Sequence, residues 1–270
     1  MSPQRSPTES IASPLPITIL PDPTLPQWSL LALAAAGIGF SKSGFPGVSM
    51  MHVVVFALVF GSKASTGILL PMLIIGDLCA IAFFGRKAVW SQIGKLMPFT
   101  LAGIVVGWRM MGRLDETTFR LIVGGIILTL TAVQAYRMFG RGQTDASETP
   151  SGTAWPWAAG LGTLAGMTTM LANAAGPVVA LYLLVVRLTK WELIGTSAWL
   201  FLVTNVIKLP FSYQLGLING ATLRTGAMLA PMVPLGMLAG RWLVQRISQR
   251  LFNIILLAFT AVMAARLAWG

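Results

Sequence analysis

The chain has 270 residues, of which 55% are hydrophobic and only 10% charged, with a mean hydropathy of +0.76. Soluble domains carry about 25% charged residues, so this composition excludes an ordinary soluble domain and predicts one embedded in lipid. The net charge of +11 does not signal nucleic acid, because most Lys and Arg stand in short stretches between apolar runs, where they set topology.

Residues 1–27 form a Pro-rich lead-in holding seven of the sixteen prolines (Pro3, Pro7, Pro14, Pro16, Pro21, Pro23 and Pro26). With little apolar mass and many missing N–H groups, it is expected to be disordered or extended. An apolar segment follows over Trp28–Phe60, interrupted by Ser41-Lys42-Ser43-Gly44-Phe45-Pro46-Gly47. Three uninterrupted runs, Ser65–Phe84, Leu96–Met111 and Phe119–Met138, complete a first half over residues 28–139. A polar linker over residues 140–154 leads to a second interrupted segment, Trp155–Val186, broken by Met170-Leu171-Ala172-Asn173-Ala174-Ala175-Gly176-Pro177. The runs Leu193–Tyr213, Thr225–Val244 and Leu251–Trp269 then fill residues 155–270. Each limb of a broken segment is about 13–17 residues, short of the roughly 20 that span the hydrocarbon.

The order of elements repeats, and so do individual residues. An offset of 128 maps Gly67 onto Gly195 and Asp77 onto Asn205. An offset of 133 maps Pro98, Gly103, Gly107, Arg113 and Phe119 onto Pro231, Gly236, Gly240, Arg246 and Phe252. If each broken segment is a re-entrant hairpin, each half crosses three times and the halves are inverted. The expected fold is therefore an all-α polytopic membrane protein of two inverted-topology repeats, each a broken hairpin plus three transmembrane helices. Short, Gly/Pro-interrupted segments at corresponding positions of two halves point to a transporter's binding site near the midplane. The loop Gly85–Lys95, with three cations and no acid, mildly favours an orientation with that loop inside.

At each break, the helix that follows exposes unpaired N–H groups and its positive dipole end. Ser41, Lys42 and Ser43 sit at the first break, and Thr168, Thr169 and Asn173 at or just before the second. Gly44, Gly47 and Gly176 allow close backbone approach, and Pro46 and Pro177 suit a first helical turn. Hydroxyls, one amide and one ammonium beside helix N-termini make a candidate anion site. The sole histidine, His52, follows the first break and could bind an anion or carry a proton. Asp77, the one acid inside a predicted span, is a coupling candidate alongside His52. Its repeat mate Asn205 and the nearby Lys208 are further binding candidates, Lys208 as a second cation or as the partner of Asp77. Arg109, Arg113, Arg246 and Arg250 stand at span ends and read as topology determinants.

Catalytic and metal patterns are missing: no His/Cys cluster, HExxH, phosphate loop or GxSxG. No enzyme activity, cofactor or metal is expected. Cys79 stands alone, which excludes an intrachain disulfide framework.

The duplicated breaks, the motif Ala64-Ser65-Thr66-Gly67 echoed by Ile194-Gly195-Thr196-Ser197, and the doubled Pro…Gly…Gly…Arg pattern resemble the TauE/SafE (TSUP) sulfite exporter family over residues 28–269. The resemblance implies transport of small sulfur-containing anions such as sulfite, sulfoacetate, other organosulfonates or thiosulfate. The expected protein is thus a multi-pass secondary transporter, an exporter of the inner (plasma) membrane, whose partners are a small anion and the bilayer. A passive anion channel of the same architecture is the alternative.

Overall fold

The computed structural model describes residues 21–44, 48–139, 154–186 and 188–243, with single positions Ile254, Ala258, Ala261, Val262, Ala265 and Trp269. The lead-in before residue 21, the linker 140–153, Phe45, Pro46, Gly47 and most of the predicted span Leu251–Trp269 lie outside the described residues.

Helix is the only regular structure among the described residues. In chain order the helices are α1 (Leu25–Lys42), α2 (Ser49–Phe60), α3 (Ser62–Phe84), α4 (Trp90–Met111), α5 (Glu116–Phe139), α6 (Ala154–Ala172), α7 (Gly176–Val185), α8 (Lys190–Gln214), α9 (Gly220–Leu229) and α10 (Met232–Leu243). A 3-10 turn, Gly85–Lys87, joins α3 to α4. Among the described residues, three stretches are long and apolar enough to cross a membrane: Ser62–Lys87, Glu116–Val133 and Trp191–Gln214.

Several ends follow from local chemistry. Thr24 and Gln27 form a capping box that starts α1 at Leu25, so residues 25–27 belong to the helix and not to the lead-in. Pro26 is tolerated because first-turn N–H groups have no intrahelical acceptor. Thr189 with Glu192 caps α8 in the same way, and Asp115 accepts from the Thr118 N–H to cap α5. The Glu116 carboxylate accepts from Ser62 N at 2.7 Å, so α5 caps α3.

The broken segments are uneven, contrary to the expectation of similar limbs. Their first limbs, α1 and α6, run 18 and 19 residues, while α2 and α7 have only 12 and 10. The repeat mates Pro98 and Pro231 also differ. Pro98 is carried inside the continuous α4, whereas Pro231 coincides with the break between α9 and α10, so the predicted span Thr225–Val244 is two helices.

Packing between the halves is reciprocal. Helix α1 lies along α10 and α4 along α6, each pair parallel, with glycines at the crossings. A methyl added at Gly236 would fall 1.8 Å from the Ala36 carbonyl oxygen, and one at Gly103 would fall 2.1 Å from that of Thr163. Ala36 and Thr163 are 127 residues apart, and the same offset relates Gly39 to Gly166, each of which meets the opposite partner's backbone. Small residues are what let helices approach this closely in lipid, where apolar burial drives association only weakly. The central pair, α3 and α8, runs antiparallel: Gly67 near the start of α3 abuts Leu217 after α8, and Gly195 near the start of α8 abuts Phe84 at the end of α3.

Candidate functional site

The two breaks face one interior. Helix α1 ends on Ser41 and Lys42; Ser43 follows, then Gly44 at φ 120°, a left-handed backbone that a Cβ would strain. Helix α6 ends at Ala172, and Asn173 turns the chain at φ 51°, a conformation Asn tolerates better than other non-glycine residues. Asn173 N donates to Thr169 O and Ala174 N to Thr168 O, closing the end of α6. Pro177 then occupies the second position of α7.

Between the breaks lies a cavity of about 430 Å³. Its polar wall includes Ser41, Lys42, His52, Thr169, Asn173 and Asn205. Ser49, at the start of α2, and Ala175 and Gly176, at the start of α7, also border it, so both short helices begin at the cavity. The remaining wall is largely apolar, with Leu73, Leu188, Leu193, Ile194 and Phe201.

A hydrogen-bonded network backs the polar wall. Lys42 Nζ donates to Asp77 Oδ1 at 2.5 Å, an ion pair whose side chains are 13% and 0% exposed. The ammonium also lies 4.4 Å from the centroid of the Phe201 ring. Asp77 Oδ2 accepts from Asn205 Nδ2 at 2.8 Å, so the repeat mates meet at the crossing of α3 and α8. Lys208, buried, donates to Asn173 Oδ1 at 2.6 Å, Thr169 Oγ1 at 3.2 Å and Asn205 Oδ1 at 3.4 Å. Asn173 Nδ2 in turn donates to Thr66 O at 3.2 Å, tying the second break to the Ala64–Gly67 motif on α3.

The network thus holds two lysines and one carboxylate, a formal excess of one positive charge among the described residues. The hydrogen bonds of Lys208 all go to neutral oxygens, and no carboxylate pairs with it among the described residues. A charge buried without a counter-charge is costly, and an anion in the cavity would supply one. Lys42 keeps two N–H donors and each amide keeps one, beyond those already engaged.

Several sequence-level candidates stand elsewhere. Ser43 donates to Phe40 O and packs at α10, where a methyl on Gly240 would lie 2.4 Å from its Oγ. Thr168 donates back to Leu164 O and Ala165 O, so its hydroxyl is spent within α6. Neither borders the cavity. Asp77 and Lys208 act from behind Lys42, Asn173 and Asn205, and Gly47 lies outside the described residues. Lys42, and not Lys208, is the ion-pair partner of Asp77. Both breaks carry an ammonium, the second supplied by Lys208 from α8, so charge is not confined to the first.

Sequence reasoning missed Ser49 and Ser197, which both border the cavity. The motif echo over Ile194–Ser197 was the signal available for Ser197.

The family model described as Sulfite exporter TauE/SafE matches residues 31–267, nearly the whole chain. No curated protein and no solved structure matches it.

Proposed function

Because the chain belongs to the TauE/SafE sulfite exporter family, whose members are membrane transporters of the sulfur-anion exporter type, we propose that it is a secondary exporter of small sulfur-containing anions, such as sulfite or organosulfonates. The anion binds between the two helix breaks, and alternating access moves it across the inner membrane. The observation that carries this reading is the convergence of two helix N-termini and Lys42 on one cavity, with Lys208, which no carboxylate pairs among the described residues, bonded to the Asn173 wall from behind. Helix N-termini favour anions through their free N–H groups and dipole.

The reciprocal glycine contacts and the antiparallel α3 and α8 support two inverted repeats in a multi-pass arrangement. Rocking one set of packed helices against the other around a fixed site is the motion such architecture suits. The cavity wall continues through Leu188 and Leu193, toward the end of the molecule that holds the basic turn Gly85–Lys87. With that turn on the cytoplasmic side, the cavity is loaded from inside, as export requires.

The test is a binding screen on purified protein with sulfite, sulfoacetate, isethionate, thiosulfate and acetate. Saturable binding of one or more sulfur anions, with acetate weaker, is expected; failure of every sulfur anion overturns the substrate class. Flux that rises without saturation in proteoliposomes would favour the channel.

A further inference from the structure

His52 is 0% exposed and borders the cavity, yet neither ring nitrogen has a hydrogen-bond partner among the described residues. Buried polar groups are nearly always satisfied, and an orphan at a site signals an absent partner. Every other buried polar side chain of the site is engaged: Lys42 with Asp77, Asn205 with Asp77, and Lys208 with Asn173. Ser41 Oγ donates to Ile38 O. Among these buried side chains, only the imidazole makes no hydrogen bond at all with the described residues.

The charge count says for what. Without His52 the site offers one positive charge in excess, the complement of a monoanion. Sulfur oxyanions come as monoanions, such as sulfonates, and as dianions, such as thiosulfate. We infer that His52 supplies the second positive charge for a dianion, taking one proton from water onto its ring as the dianion enters the cavity. A monoanion is met by the neutral ring, which still offers one N–H. The inference rests on the anion-site reading above and makes the proton load of each transport cycle depend on the charge of the cargo.

The groups around His52 fit this division. Helix α2 packs on α1, α3 and α5. Helix α1 contributes Lys42. Helix α3 contributes Asp77, already paired, the half-buried Cys79, and Lys63 at its far start, which donates to Leu114 O. Helix α5 carries its titratable residues near its ends, Glu116 and Arg120 at one and Tyr136 and Arg137 at the other. Across the cavity, Lys208 is occupied on α8 and the Tyr182 hydroxyl on α7 donates to Gln92. Among the described residues no carboxylate stands free to neutralise an imidazolium, so its counter-charge arrives with the cargo.

Titration calorimetry in two buffers of different ionisation enthalpy reads the proton directly. With wild-type protein at about pH 8, thiosulfate binding should take up about one proton and methanesulfonate close to none. Thiosulfate affinity should also fall about tenfold per pH unit as pH rises, because a proton is bound with it, while methanesulfonate affinity stays flat. His52→Gln keeps an N–H donor and cannot ionise. It should abolish the uptake and weaken thiosulfate by at least about tenfold more than it weakens methanesulfonate. Equal uptake for both anions, none for thiosulfate, or uptake retained in His52→Gln overturns the inference and leaves the anion site standing. Failure of both anions to bind wild-type protein overturns the anion site as well.

Discussion

Lys42 and Asp77 show what a residue pattern could and could not reveal. Both stand out as charges in apolar runs, which marks each as a candidate for function. Their partnership was not legible: the sequence offered Lys208 as the mate of Asp77, and only the approach of α1 to α3 reveals Lys42 in that place. Removing one member of a buried pair typically costs about 3–5 kcal/mol, since it leaves a charge uncompensated. Lys42→Met and Asp77→Asn alone should therefore each lower the unfolding temperature in detergent markedly. The Lys42→Met/Asp77→Asn double variant should recover most of that loss while binding anions at least about tenfold more weakly, because no ammonium then faces the cavity. Equal destabilisation in the double variant would show that the pair is not the reason for the single-variant losses. Lys208→Met tests the second ammonium, and should weaken monoanions and dianions alike by about tenfold or more in equilibrium binding. His52→Gln, by contrast, should separate the two classes.

At the scale of elements, the glycine matches Gly103/Gly236 and Gly107/Gly240 were legible as a repeat and now have a physical cause. Each sits where a helix of one half meets the broken segment of the other. Gly236→Val should place side-chain atoms against the Ala36 carbonyl and force α1 from α10, costing about 1–3 kcal/mol of stability or more and lowering folded yield and unfolding temperature. Gly94, in α4, has nothing within 4 Å of an added Cβ, so Gly94→Ala should be neutral or slightly stabilising in the same measurement. Similar losses from both would mean that the glycines act through backbone propensity and not through close approach. What the sequence hid at this scale was limb length. Composition marks where a helix breaks, but the capping box at Thr24 and the left-handed turn at Asn173 set where each limb begins and ends.

For the whole molecule, the family, the helical class and the two breaks were readable from the order and duplication of short motifs. The cavity was only half readable. Its polar wall comes from residues conspicuous in apolar runs, whereas its apolar wall of Leu73, Leu188, Leu193 and Phe201 uses residue types found in every span. Such residues become part of a site only through packing, which hydropathy does not encode. The same limit hid Lys208 as the cation of the second break, because its placement depends on how α8 passes α6.

These scales converge on exchange of an anion between the two helix breaks. Proteoliposomes loaded with unlabelled sulfite or thiosulfate, and diluted into a trace of the labelled anion, measure that exchange as counterflow. Wild-type protein should accumulate label transiently and saturably, and the folded Lys42→Met/Asp77→Asn variant should show at least about a tenfold loss of that accumulation. Counterflow in the double variant equal to wild type would contradict an anion site between the breaks.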